Sequence, residues 1–274
     1  MNKLNRTKQA QVIAALVEGN SINSTVRMTG VHKTTILKLL ARIGIACADY
    51  QDRTLRNLQC TRLQCDEIWQ FVYSKAKNVP EEKRGTFGYG DVWTWVAIDA
   101  DSKLIVSWTL GNRDAMTAKI LIDDLASRLA HRVQLTTDGL KAYLEAVEGA
   151  FGCAIDYAML VKIYGASQDE VRYSPAECIG AERKIITGNP DGAHISTSYI
   201  ERQNLTMRMT MRRFTRLTNG FSKKVDNHAY AVALYTMYFN FCRVHATLRV
   251  TPAMEAGLTD HVWTIEEMLS KIGV

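Results

Sequence analysis

The sequence lacks several features that would name a function class at once. No run approaches the roughly 18 apolar residues of a membrane-spanning helix, so no membrane partner is expected. The opening residues, MNKLNRTKQAQ, are polar and basic with no apolar stretch behind them, which argues against a secretory leader and for a cytoplasmic protein. Six cysteines (Cys47, Cys60, Cys65, Cys153, Cys178 and Cys242) are scattered without a C-x-x-C pair, which argues against a disulfide framework and a structural zinc site. There is no G-x-x-x-x-G-K-[ST] phosphate loop, no G-x-G-x-x-G after a strand and no G-x-S-x-G elbow. Nucleotide hydrolysis, dinucleotide redox chemistry and serine hydrolysis therefore lose their usual signatures. Internal repeats and low-complexity tracts are absent as well.

What is present is an ordinary globular composition, 47% apolar and 23% charged, in a chain of 274 residues, long enough for about two domains. A net charge of +6 leans towards a polyanionic partner. Helical spacing over Thr7 to Glu18 stops at Gly19-Asn20. A short helix is expected over Ile22 to Met28, then a turn at Thr29-Gly30-Val31, then a helix from Lys33 to Ile43. In such a unit the second helix enters the DNA major groove with its N-terminal residues towards base edges, which would expose Lys33, Thr34 and Lys38 to DNA. The alternative is a small three-helix module that meets protein.

Polar, aperiodic residues from Ala46 to Cys60 read as a linker. Arg62 to Tyr73, Asp91 to Ile98 and Lys103 to Leu110 are rich in aromatic and β-branched residues and read as three consecutive strands. A helix over Ala115 to Ala130, the short strand R-V-Q-L-T-T-D, a helix over Leu140 to Val147 and the strand A-I-D-Y-A-M-L-V-K-I-Y follow. The pattern suggests an α/β fold with a mixed sheet. Residues Gly165 to Thr197 are left unassigned, and two helices are expected over Ser198 to Arg216 and Lys224 to Val244.

Three acids stand out. Asp66 lies in the otherwise apolar L-Q-C-D-E-I-W, where a buried charge is costly without a cation or hydrogen-bond donors. Asp138 closes the strand Q-L-T-T-D, at the strand end where ligand sites of open α/β sheets gather. Glu201 opens a long helix in S-Y-I-E-R-Q-N. Each alone has a structural explanation in capping, helix-dipole pairing or a buried ion pair. Together they suit two hard cations, which about 3.5–4 Å apart can activate water and stabilise a leaving oxygen in phosphodiester cleavage. Asp99, at the end of the second strand, competes with Asp66, but Ala100-Asp101-Ser102 beside it favours a turn aspartate. Glu67 would face away from Asp66 on a strand, and His194 and His245 are read as ordinary surface or core residues.

The strings L-Q-C-D-E-I-W, T-T-D-G-L-K-A-Y and S-Y-I-E-R-Q-N-L-T-M-R, followed by G-F-S-K-K-V, resemble the DDE transposases of bacterial insertion sequences, most closely the insertion-sequence-one-like group. The resemblance covers roughly Leu63 to His245, and T-G-V-H-K-T-T-I-L-K-L-L is similar, less specifically, to the helix-turn-helix of bacterial transposases and repressors. It implies a ribonuclease H-like catalytic core that nicks transposon ends and joins the freed 3′ hydroxyl to target DNA. It also implies Asp66, Asp138 and Glu201 as catalytic residues and metal ligands for two Mg2+ or Mn2+ ions. The implied partners are double-stranded DNA, as element ends and as target in chromosome or plasmid, with the chain assembled as a homo-oligomer on it. On a helix from Ser198, Arg208 and Arg212 share a face with Glu201, with Arg216 close by, and read as contacts to the DNA backbone.

The expected organisation is thus a helix-turn-helix domain over 1–47, a linker over 48–60, the catalytic domain over 61–248 and a C-terminal tail over 249–274. The alternatives are a transposase-derived DNA-binding protein without catalysis, and a metal-dependent nuclease that cuts without joining.

Overall fold

The computed structural model describes residues 4–165, 178–215 and 219–274; Arg216 of the expected basic stripe and residues 166–177 of the unassigned stretch lie outside them. The chain opens with three helices, α1 (Arg6–Val17), α2 (Ile22–Thr29) and α3 (Lys33–Thr54). Each begins where a side chain accepts from a free backbone N–H: Asn5 from Lys8, Ser21 from Ser24 and His32 from Thr34. Gly30, at φ +70°, ends α2 in the left-handed conformation and turns the chain into α3.

The third helix does not stop at Ile43 but runs on to Thr54, through residues 48–54 of the stretch expected as a linker. Gly44 explains the difference. A Cβ there would meet the Cα and Cβ of Tyr230 at 2.5 Å, so this glycine marks a close helix crossing rather than a helix end. Ile36, Leu40, Ile43 and Cys47 form the buried stripe of α3 on either side of it.

The sheet is built from β1 (Arg62–Val72), β2 (Gly90–Asp99), β3 (Ile105–Gly111), β4 (Gln134–Thr137), β5 (Asp156–Tyr164) and β6 (Cys178–Thr187). Its order is β3-β2-β1-β4-β5-β6. The first three strands are mutually antiparallel, β4 is parallel to both β1 and β5, and β6 returns antiparallel to β5. The last strand falls in the stretch the sequence left unassigned.

Side chains alternate across this sheet. In β2, Trp95 and Ala97 join a large apolar cluster with α4 (Ala115–Arg128) and α5 (Ala142–Phe151), whereas Val96 and Ile98 join a smaller cluster on the other face. That second cluster takes Ile200 and Met207 from α6 (Ser198–Thr210) and Val232, Tyr235 and Phe239 from α7 (Val225–Phe241). Helices therefore cover both faces of a mixed sheet, the expected α/β class. Helix α7 contributes to both clusters and is apolar nearly all round, as a core helix must be.

Two further expectations change. The helix from Ser198 ends at Thr210 rather than at Arg216, because Met211 turns extended (φ −103°, ψ 111°). From there Phe214 buries beside His228, and Arg213 turns inward to donate to Ser222 Oγ at 2.7 Å. The residues expected as a C-terminal tail carry α8 (Pro252–Glu255) and α9 (Ile265–Lys271). Trp263 stacks on Phe241 with ring centroids 4.5 Å apart, and Met268 and Leu269 join the large cluster, so this segment closes the core. Among the described residues no helix is long and apolar enough to cross a membrane.

Candidate metal and active site

The site forms where β4 ends. Strand β1 pairs with β4 only from Arg62 to Cys65, with Cys65 opposite Thr137, so Asp138 leaves the sheet beside the point where β1 carries Asp66 and Glu67. Alternation sends those two acids to opposite faces. Asp66 turns towards α6, where its Oδ2 accepts from Asn204 Nδ2 at 2.8 Å. Glu67 turns towards α5, accepting from the Tyr143 hydroxyl at 3.3 Å and from Arg113 at 2.6 Å.

Past the end of β4 this strand no longer separates the two faces, and the acids converge. One carboxylate oxygen from each of Asp66, Glu67 and Asp138 lies within 4.8 Å of the others. Such a cluster of hard oxygen donors could hold a divalent cation.

The electrostatics fit that reading. Burial, then the charges of Glu67 and Asp138, push the Asp66 carboxyl up to about 7. Glu67 is raised in the same way, by burial and by Asp138, against the bonds from Arg113 and Tyr143. The Arg113 guanidinium also lies 3.8 Å from Asp138. Charge of one sign crowded into a low-dielectric edge is what a bound cation relieves.

Glu201 reaches the same cleft by a different route. Gln64 Oε1, on β1, accepts from the backbone N–H groups of Tyr199 and Ile200 at 2.9 and 3.0 Å, pinning the first turn of α6 to the sheet. A cavity of about 630 Å³ is then lined by Asp66, Asp138 and Glu201 together with Arg113 and Lys162. The Glu201 carboxylate is not part of the tight cluster. It accepts from Lys162 Nζ at 2.6 Å and from Thr197 Oγ1 at 2.5 Å.

The fold thus brings Asp66 and Asp138 together, adds Glu67, and holds Glu201 on Lys162 within the same opening. Sequence reasoning set Glu67 aside because the period of a strand separates neighbours, and it missed Arg113 and Lys162, which no local pattern marks. Asn204 carried a legible signal, since it follows Glu201 by three positions on one helix face. Asp99 is a turn residue, its Oδ2 accepting from the Ser102 N–H and hydroxyl at 2.9 and 2.6 Å. Neither His194, which contacts Arg62, nor His245 lines the cleft.

Of the residues expected to meet DNA, Lys33, Thr34 and Lys38 are exposed at the start of α3. Arg208 is half-buried and donates to the Trp69 carbonyl, while exposed Arg212 lies beyond the end of α6. The continuous basic stripe expected on one helix face is therefore broken at Met211.

No family model matches the chain, and no curated protein matches it. Among solved structures, the chain is similar to the Mos1 transposase paired-end complex with left transposon end, at 13% identity and a TM-score of 0.25 over 57% of this chain and 60% of that one. It is also similar to the piggyBac transposase synaptic complex with hairpin DNA, at 10% identity and a TM-score of 0.40 over 99% of this chain and 71% of that one. The match thus spans about three fifths of the Mos1 chain.

Proposed function

We propose that the protein is a DDE transposase of the insertion-sequence-one-like group, which binds the ends of its element and carries out metal-dependent strand cleavage and transfer. One observation carries the reading: acids from the first strand, the end of β4 and the first turn of α6 line a single cleft. The strand order β3-β2-β1-β4-β5 with this polarity supports a ribonuclease H-like core. The donors are all carboxylate oxygens, the chemistry Mg2+ and Mn2+ prefer. When bound, two such ions supply an activated water or hydroxyl and stabilise charge on the leaving oxygen.

In this reading Asp66 and Asp138 hold metal, with Glu201 completing the set on leaving Lys162. Glu67 keeps Arg113 against the cluster, where its charge balances the acids and faces an incoming phosphate. The helices α1 to α3 form the helix-turn-helix unit of residues 1–47, with Lys33, Thr34 and Lys38 against element-end DNA, ahead of a catalytic domain over 61–248. Arg208 and Arg212 contact the backbone of double-stranded DNA, on which the chain assembles as a homo-oligomer.

The test is a cleavage assay on terminal-repeat DNA taken from the flanks of the gene. Wild-type protein is expected to nick and join these ends only with Mg2+ or Mn2+, and Asp138→Asn to lose both reactions while keeping end binding. Activity at the wild-type level in that variant would sink the assignment. Binding without cleavage in the wild type would instead favour a DNA-binding derivative, and cut products without joined ones a nuclease.

A further inference from the structure

A second cavity, of about 460 Å³, opens between the N-terminal helices and the segment leading into α7. Five cationic residues line it: Lys33 from α3, Arg212 and Arg213 after α6, and Lys223 and Lys224 before α7. None of its described lining residues is acidic. Its floor is apolar, with Leu37 and Leu40 of α3 facing Leu234 of α7.

Surface lysines alone would mean little, but Arg213 is of another kind. It has no ion pair among the described residues. Its guanidinium donates to Ser222 Oγ, and that hydroxyl lies 3.0 Å from Nδ1 of fully buried His228. Burial pulls the Arg213 pKa down to about 10, and burial with the Arg213 charge beside it pulls the His228 pKa down to about 3, so the neutral imidazole adds no second positive charge, while no acid among the described residues offsets the arginine. Arg213 is half-buried, and holding a cation partly out of water without an acid is costly unless an anion arrives from outside. An arginine suits such an anion because its planar fork matches phosphate oxygens.

We propose that this cavity is a seat for a phosphate group, with Arg213 at its base and Lys33, Arg212, Lys223 and Lys224 around it. The favoured source is a backbone phosphate of DNA, a choice that rests on the function proposed above. Helix α6 runs between the two sites: from Glu201 to Thr210 at 1.5 Å per residue the rise is about 14 Å, the span of about four nucleotides at roughly 3.4 Å each along one strand. The seat would join the exposed start of α3 to the carboxylate cleft along one anionic path.

The experiment is lysine acetylation footprinting by mass spectrometry on the full-length protein, with a short duplex and, separately, with pyrophosphate. Lys33, Lys223 and Lys224 are expected to be protected, and Lys271, on α9, to react as before. Lys223→Ala with Lys224→Ala, both exposed positions, should weaken duplex binding by about tenfold and lower the slope of log affinity against log salt by about 0.9 for each phosphate no longer neutralised. Arg213→Gln should abolish protection by pyrophosphate, with circular dichroism reporting whether the variant is folded; should it not fold, the lysine variant decides. Protection by the duplex assigns the seat to DNA backbone, and protection by pyrophosphate alone assigns it to a free phosphate compound. A duplex that binds tightly yet leaves all three lysines reactive, with pyrophosphate also giving no protection, would overturn the seat while leaving the proposed function standing. Failure of the protein to bind DNA at all, with pyrophosphate still protecting, would instead count against that function.

Discussion

Asn204 donates its side-chain amide to Asp66 at 2.8 Å, linking the first strand of the sheet to the helix that carries Glu201 one turn earlier. The bond fixes the carboxylate whose neighbours are Glu67 and Asp138, and the Asn204 Oδ1 atom beside it is buried with no hydrogen-bond partner among the described residues. A residue that orients a ligand in this way commonly alters metal affinity by about tenfold or more when removed. Asn204→Ala is therefore expected to weaken Mn2+ binding by about that factor, read as a smaller Mn2+-induced rise in Tm. Its duplex affinity without metal should be unchanged. An unaltered Mn2+ response would show that Asp66 does not depend on the contact.

The Lys162–Glu201 pair makes the opposite prediction. Both side chains are about a third exposed or more, so the pair contributes less than about 1 kcal/mol to stability. Lys162→Met should leave the urea midpoint nearly unchanged and tighten Mn2+ binding several-fold, because Glu201 no longer has to leave an ammonium. Equal Mn2+ affinity in calorimetric titrations of variant and wild type would remove Glu201 from the metal-holding set.

His228 sets a pH dependence away from the acidic cleft. Burial first, and the Arg213 charge second, hold its pKa at about 3. In the unfolded chain a histidine titrates near about 6.5. Between those values the unfolded state binds a proton that the native state does not, so stability falls as pH drops through the window, by on the order of 5 kcal/mol in all. The Tm of the wild type should decline more steeply from neutral pH into this window than that of His228→Gln. Parallel curves would mean that the ring is not held neutral.

Gly44 and Gly149 form a matched pair of tests. A methyl group at Gly44 meets Tyr230 at 2.5 Å, whereas at Gly149 in α5 nothing lies within 4 Å. Gly44→Ala is expected to destabilise by about 2 kcal/mol through overpacking. Gly149→Ala should stabilise by roughly 0.5–1 kcal/mol, because alanine loses less backbone freedom in a helix. Denaturant midpoints shifting in the same direction would contradict the α3–α7 crossing.

Composition and periodicity pointed to the α/β class, the first three strands, the N-terminal helices and Asp66, and the motifs flanking Asp138 and Glu201 completed the choice of acids to watch. These are local properties: a strand alternates with period two, a helix repeats near 3.6, and an acid inside an apolar run is anomalous wherever the chain goes. Only the tertiary structure decided what depends on contacts between distant segments. The tail became α8 and α9 because Trp263 found Phe241. The basic stripe broke at Met211, where Arg213 turned in to meet Ser222. Gly44 continued a helix because Tyr230 lies against it. Glu67 joined the acidic cluster because β4 stops at Thr137, and no pattern within β1 records the length of the strand beside it.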